Sequence, residues 1–551
     1  MLDPPRQPRS GGGAPSAGLR WSALAVTLLG AALVRAWNLG WGLEHRMAFP
    51  DELAFWQSYL FAFVPPRPAS LVGHPLFYPP LYGYLSGLAV AAASALGALG
   101  PGQDVYRAFV IARGVSVVAS VATVLVVWRL GTRFYGVCTG LLAAAVMASI
   151  PFEAMQTHYA SVDALLATTT ALVLLASARF SRDRRPAWAM VAGACVGLAL
   201  GVKYNAGALL AVPLWVVLEE AVARRSLRPM LTLGVAVGVG CAVAGAIAAP
   251  SWLLETHRAL SAFRYMRWQM TGGWLPDGNH AAASLGWYGR PWLIHLVATL
   301  PFALGWPAYA ASLLGVAVAL RRRTDADRVL LVMIAVYVVI LGLPTPTFPR
   351  YVLPLGPALV VLGARALVGL RLPLSARAVL CTAIVAYGFV LGGSQVARFS
   401  YDQQLGVASW LRAAAERSGI PLRVGFPQPL APYFALREPL GRAGLRPMPK
   451  PDGHWFDGSP EAFVMPEWFA TTIRRDRNSE ARLAALDELE SGRAGYREVA
   501  RWRSSYFQED LYTWLDPAFA SDLYMGELGF RVYLRDDVAT RLGLPSPGSA
   551  P

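Results

Sequence analysis

Leu81-Tyr82-Gly83-Tyr84-Leu85-Ser86-Gly87-Leu88-Ala89-Val90-Ala91-Ala92-Ala93-Ser94-Ala95-Leu96-Gly97-Ala98-Leu99 carries no charge. It is long enough to cross a bilayer, which takes about 20 apolar residues. Whether it crosses decides the sidedness of everything after it. Further apolar runs lie at about 19–37, 106–128, 137–151, 163–180, 187–203, 205–222, 230–250, 294–320, 328–343, 351–370 and 376–394. Alternate loops between them are rich in arginine: Arg129-Leu130-Gly131-Thr132-Arg133, Arg182-Asp183-Arg184-Arg185, Arg224-Arg225-Ser226-Leu227-Arg228, Arg321-Arg322-Arg323 and Arg371 to Arg377. Basic loops stay cytoplasmic, and the N-terminus with Arg6, Arg9 and Arg20 is basic too. A spanning 81–99 would turn every later basic loop to the opposite side. The charge pattern therefore favours a helix that lies on or dips into the membrane. Residues 38–105 then form one long external loop, about 11 spans follow from the remaining runs, and residues 395–551 lie outside.

Composition agrees with a membrane protein. Of 551 residues, 55% are hydrophobic and 15% charged, against roughly 25% charged in a soluble domain. The formal charge of +15 would suggest nucleic acid in a soluble chain. Here the arginines serve topology, and no nucleic-acid partner is expected. The run Trp21 to Val34 lacks a small-residue cleavage site and continues to Trp37, so it reads as a retained span of an inner or plasma membrane protein. Cys138, Cys195, Cys241 and Cys381 all sit in apolar runs, with neither metal-site spacing nor a disulfide framework.

The predicted fold is mainly α: a polytopic helical bundle over 19–394, preceded by a disordered 1–18 rich in Gly, Pro and Ser. A small soluble domain over 395–551 is predicted to be α/β or α+β. Its short β-like runs are Leu422 to Phe426, Ala462 to Met465 and Gly529 to Tyr533, and an amphipathic helix is predicted from Thr471 to Glu490. No internal repeat is visible.

With this topology, unusual polar residues converge on the external face: Asp51, Glu52, His74, Tyr78, Arg113, His158, Asp163, Lys203, Arg350 and Tyr351. Asp51 and Glu52 stand in Phe49-Pro50-Asp51-Glu52-Leu53. Neighbours on a helix point about 100° apart, so one acid can serve as base while the other holds a partner. Asp163 opens an apolar helix, either as a functional carboxylate or, with Ser161, as a cap. Lys203 is one of only two lysines and sits inside apolar sequence, Gly201-Val202-Lys203-Tyr204-Asn205, where a cation implies a partner unless it snorkels. Arg113 and Arg350 offer the forked donors that suit phosphate. His74 and Tyr78 are weaker candidates, Tyr78 also fitting an aromatic belt.

In order, Pro-Asp-Glu at 50–52, Tyr-Pro-Pro-Leu-Tyr at 78–82, His-Tyr-Ala-Ser-Val-Asp at 158–163, Gly-Val-Lys-Tyr-Asn at 201–205 and Arg-Tyr-Val-Leu-Pro-Leu-Gly-Pro at 350–357 resemble the GT-C superfamily of integral-membrane glycosyltransferases. The nearest group is family 39, similar to bacterial protein O-mannosyltransferases and lipid A aminoarabinose transferases. The resemblance covers about 20–395. It implies sugar transfer from a polyprenyl-phosphate donor to a lipid, glycan or protein acceptor outside the membrane. Asp51 matches the acid of the first loop and Glu52 its companion. Asp163 matches a second acidic position, and Arg113 an arginine tied to that loop. The lysine that precedes Pro-Pro-Leu in the lipid A enzymes is Tyr78 here, and the His-Pro-Pro-Leu of the mannosyltransferases is absent.

The expected mechanism is a single inverting displacement. Asp51 is the base, Lys203, Arg350 and Arg113 hold the donor phosphate, and Glu52 and Asp163 orient the acceptor or the cations. His158, Tyr351, His74, Tyr78, Tyr204 and Asn205 complete the cavity, with no essential metal or other cofactor. A transporter or flippase of a lipid-linked sugar is the rival from another class.

Overall fold

The computed structural model describes residues 16–43, 51–65, 71–74, 76–99, 104–270, 291–343, 348–400, 403–427, 436–451, 454–475, 480–502 and 529–544. The disorder expected at 1–18 falls almost wholly outside them.

The bundle is built from α1 (Ala17–Ala36), α2 (Leu81–Ala95), α3 (Val105–Tyr135), α4 (Val137–Ser149), α5 (Asp163–Asp183), α6 (Pro186–Leu200), α7 (Ala211–Arg224), α8 (Arg228–Ala248), α9 (Thr256–Met270), α10 (Trp306–Arg322), α11 (Asp325–Leu341), α12 (Gly356–Val368) and α13 (Leu374–Ala397). Each of the eleven apolar runs is helical, yet fewer than eleven helices can cross alone. Among the described residues seven are long and apolar enough. An eighth is a pair, Pro291–Leu304 and Trp306–Arg322, bent by 120°. The shortfall lies in α4, α6 and α11, of 13, 15 and 17 residues. A 13-residue helix rises only about 20 Å against roughly 30 Å of hydrocarbon.

The breaks have local causes. Pro151 follows α4 and disfavours helix at Ile150. Gly201 ends α6 ahead of an extended Lys203, φ −153°. Irregular backbone at membrane depth is tolerated only where protein surrounds it, and residues 157–163 and 201–203 are all buried. Those two irregular stretches furnish Asp163 and Lys203. At 15 residues α2 is also short of a full crossing. Its first amide donates to the Gly201 carbonyl at 2.9 Å, fastening it to the end of α6.

Helices α5 and α12 are the bundle's buried centre, while α1, α8 and α13 turn most of their surface outward. Small residues allow α6 and α8 to touch backbone to backbone. A Cβ on Gly193 would collide with the Val237 carbonyl, and one on Gly240 with that of Met190. Such contacts replace the hydrophobic drive that helices lack inside lipid. Gly193→Leu is expected to destabilise by about 1–3 kcal/mol or more, lowering the Tm of the detergent-purified protein. Gly238→Leu on α8, where a Cβ meets nothing within 4 Å, leaves it in place.

The C-terminal region is a five-stranded mixed sheet of β1 (Arg423–Pro427), β2 (Arg446–Lys450), β3 (Ala462–Pro466), β4 (Tyr496–Trp502) and β5 (Phe530–Arg535), in the order β2-β1-β3-β5-β4. β1 runs parallel to β2 and β3, while β5 is antiparallel to β3 and β4. Its own apolar core gathers Val407 and Leu411 of α14 (Gln403–Ser418) with Val424, Phe463 and Val532. The three apolar runs are β1, β3 and β5. The two strands without a sequence signal are the edges: β2 carries Pro447 and Pro449, and β4 carries Arg497, Glu498 and Arg501. Proline and charge are what edge strands tolerate. In place of one helix over 471–490 there are two, α15 (Glu467–Arg475) and α16 (Glu480–Glu490). Residues 476–479 lie outside the described set.

Candidate active site

Asp51 and Glu52 part company at once. A π-helical turn, Glu52–Trp56, begins directly after Asp51, a distortion common at functional sites. Glu52 is buried and accepts two parallel bonds from Arg113 of α3, Nε at 2.8 Å and Nη2 at 2.9 Å. It also accepts from the Ala160 amide at 2.7 Å. Arg113 Nη1 donates to the Leu39 and Trp41 carbonyls, each at 2.8 Å, and the guanidinium lies 4.2 Å from the Trp41 ring. This knot joins the first loop, α3 and the 157–162 turn.

Arg113, expected to hold the donor phosphate, has its fork engaged by Glu52 and two carbonyls and is buried. Glu52, its partner, is equally buried.

Asp51 faces the other way. Its Oδ2 lies 3.5 Å from the Tyr78 hydroxyl and 3.9 Å from Arg350 Nη2. Arg350 comes from a 3-10 turn, Pro349–Leu355, which Pro349 initiates. Tyr78 stacks on Trp56 at 6.2 Å. Burial pushes the Asp51 carboxyl above its ordinary value, with Arg350 opposing and Asp163 reinforcing the rise. Burial likewise holds the Tyr78 hydroxyl protonated, well above its usual range.

Lys203 Nζ donates to Asp163 Oδ1 at 2.8 Å, both side chains being nearly inaccessible. The ammonium lies 5.1 Å from the Tyr351 ring and 5.9 Å from that of Tyr78. Tyr78 therefore borders both Asp51 and Lys203. Asp163 is the first residue of α5, where Val162 occupies the cap position, and Ser161 Oγ has no hydrogen bond among the described residues. Lys203, buried on Asp163, does not snorkel. Asp51, Tyr78, Asp163, Lys203, Arg350 and Tyr351 form one cluster, in which two carboxylates face two cations.

Other expected residues stand outside it. His158 stacks on Phe399 at 4.4 Å, with ring nitrogens 2.6 Å from the Trp37 carbonyl and 3.0 Å from that of Ala154. Burial pushes it down to about 4, against the two carbonyl contacts, which raise it. His74 lies against Tyr59, 4.4 Å between rings, and its carbonyl accepts from Arg258. Tyr204 stacks on Trp252 at 5.4 Å and donates to the Leu76 carbonyl at 2.8 Å. It braces the backbone just before Tyr78. Asn205 is half-buried beside it, its Oδ1 without a hydrogen bond among the described residues.

Arg35 and Glu153 are among the buried ionisable residues that escaped the sequence reading. Arg35 of α1 donates to Ser120 Oγ at 2.7 Å and to the carbonyls of Ala148 (2.7 Å) and Met147 (3.1 Å). Ser120 in turn donates to Glu153 at 3.0 Å. The signal that singles out Lys203, a charge inside apolar sequence, would have found both.

Residues 107–247 match the family model described as dolichyl-phosphate-mannose-protein mannosyltransferase. Over this segment, which takes in Arg113, Asp163 and Lys203, the chain is similar to that family of multi-pass membrane glycosyltransferases. The fold agrees. A crystal structure of ArnT from Cupriavidus metallidurans bound to undecaprenyl phosphate superposes with a TM-score of 0.51 at 15% identity, covering 84% of this chain and 95% of that one. The apo form of the same protein gives 0.51 at 15% identity, with 83% and 95% covered. At that identity the likeness is one of fold. No curated protein matches the chain by sequence.

Proposed function

We propose that the protein transfers a sugar from a polyprenyl-phosphate donor to an acceptor hydroxyl on the extracytoplasmic side, by inverting single displacement. The observation that carries the reading is the meeting of Asp51 with Arg350 and, across Tyr78, with the Lys203–Asp163 pair. The Cupriavidus protein of the same fold was crystallised with undecaprenyl phosphate, which supports this class of donor.

The acceptor oxygen attacks the anomeric carbon and Asp51 takes the hydroxyl proton. The bond from that carbon to the phosphate oxygen breaks, and the electron pair leaves on the lipid phosphate. Negative charge grows there, and Arg350 and Lys203 are fixed donors that meet it without reorganising. Asp163 holds Lys203 extended until a phosphate shares it. The rise in the Asp51 carboxyl suits a base, because it strengthens the proton affinity of the group. In this topology the N-terminus is cytoplasmic and the sheet domain extracytoplasmic. At the end of the bundle that precedes this domain, Trp37 donates to Ser400 at 3.2 Å.

Purified protein given a synthetic polyprenyl-phosphate sugar and an acceptor extract is expected to release free polyprenyl phosphate together with a glycosylated product. Movement of intact lipid-linked sugar without that release would establish the flippase instead. Lys203→Gln is expected to raise the KM for donor by about 10–100-fold, the worth of one charge-assisted hydrogen bond, with partial recovery in Lys203→Arg. Unaltered donor dependence would remove Lys203 from phosphate binding.

A further inference from the structure

The far end of the bundle has an unusual backbone feature. Among the described residues five non-glycines have positive φ: Asn38, Arg184, Arg225, Arg323 and Ser459. The three arginines occupy equivalent places, each terminating a helix in the left-handed conformation: Arg184 after α5 (φ 51°), Arg225 after α7 (φ 48°) and Arg323 after α10 (φ 49°). Glycine is the residue for that position, and the chain uses it after α3, where Gly136 has φ 100°. Topology needs basic residues somewhere in these turns, but not at the one position arginine fits poorly.

The three turns are also wired together. Arg184 donates to the Val216 carbonyl at 2.8 Å and pairs with Glu219 at 3.2 Å and Glu220 at 3.6 Å. Arg328 pairs with Glu219 at 2.7 Å and donates to the Arg323 carbonyl at 2.9 Å. Glu220 also holds Arg224, next to Arg225. The acids of this network are thus engaged by inner arginines, while Arg225 and Arg323 stay exposed at its rim. Asp163 and Arg184 bracket the 21 residues of α5, about 30 Å of rise. The arginine rim therefore sits one hydrocarbon thickness from the catalytic cluster, at the level of the opposite leaflet's headgroups.

We propose that this rim is a binding surface for anionic phospholipid headgroups, with Arg225 and Arg323 as phosphate ligands. Arg225 and Arg323 are exposed at the turns after α7 and α10, Arg323 also donating through Nε to the Leu320 carbonyl at 2.9 Å, and the Glu219–Glu220 network links the three turns. A basic surface at a helix-bundle rim complements the negative leaflet potential.

Full-length protein in phosphatidylcholine nanodiscs with increasing phosphatidylglycerol is the test, read by Tm and by lipids retained in native mass spectrometry. Phosphatidylglycerol is expected to raise the Tm of the wild type. Arg225→Gly and Arg323→Gly should each weaken its retention about fivefold. In pure phosphatidylcholine both variants should be at least as stable as the wild type, since glycine suits the left-handed turn. If either fails to fold, the Asn variants, which tolerate this conformation, take their place. Equal retention of phosphatidylglycerol by wild type and variants overturns the proposal. So does an equal Tm rise with inorganic phosphate, which would mean that a free anion suffices.

Discussion

Asp51→Asn is expected to lower turnover by about 10²–10⁴-fold, the usual worth of a positioned general base, with little change in Tm or in donor KM. Asparagine keeps the shape and the neighbours, Tyr78 and Arg350, and removes only the ability to take a proton. The same reasoning fixes a pH dependence. Burial raises the Asp51 carboxyl above its ordinary value, which for an aspartate is about 3.9. The reactive form is the carboxylate, so the wild-type rate falls as pH drops through that raised value, at higher pH than an ordinary aspartate would give. Asp51→Asn should lose this acid limb while its small residual rate persists. Turnover of Asp51→Asn near that of the wild type, or an acid limb retained in the variant, would assign the base elsewhere.

Arg113→Ala is expected to give the largest loss of stability, about 3–5 kcal/mol, because it strands the Glu52 carboxylate in the interior. Glu52 is 0% and Arg113 1% exposed, so water cannot replace the missing partner. Activity should fall in the same variant through displacement of the loop that carries Asp51. Replacing both residues by leucine removes the buried charge and should recover part of the lost stability. Thermal unfolding of the two single variants and the double variant yields the coupling between the partners. Additive losses would contradict the geometry, since residues joined by two parallel hydrogen bonds cannot contribute independently.

Much of this architecture is legible in the chain. Apolar runs bounded by arginine clusters locate the bundle helices because lipid forbids unpaired backbone, so every long apolar run must fold on itself. Lys203 is conspicuous for the complementary reason: an ammonium inside apolar sequence has to meet something, and it meets Asp163 at 2.8 Å. β1, β3 and β5 were visible as apolar runs because they form the sheet's interior, whereas β2 and β4 are edges whose prolines and charges look like loop.

Other features were hidden. Helix length was overestimated at α4 and α6, since hydropathy does not register that Pro151 and Gly201 stop the backbone early. Arg113, Glu52 and His158 have the residue types of a site, and composition cannot tell a guanidinium facing a cavity from one locked on a carboxylate. Those are differences of direction, and a π-turn after Asp51 sets them by turning adjacent acids to opposite sides of the loop.

By itself the sequence determined that this is a many-helix membrane protein, because transfer free energies act on each run locally and need no partner. Only the tertiary structure decided which charges gather around Asp51 and which lock onto a buried partner elsewhere. Asp51 and Lys203 are separated by 152 positions in the chain, Glu52 and Arg113 by 61. Whether such a group faces a cavity or a buried counter-ion depends on how α3, α5, α6 and the 349–355 turn pack, an outcome of long-range contacts that no local pattern encodes.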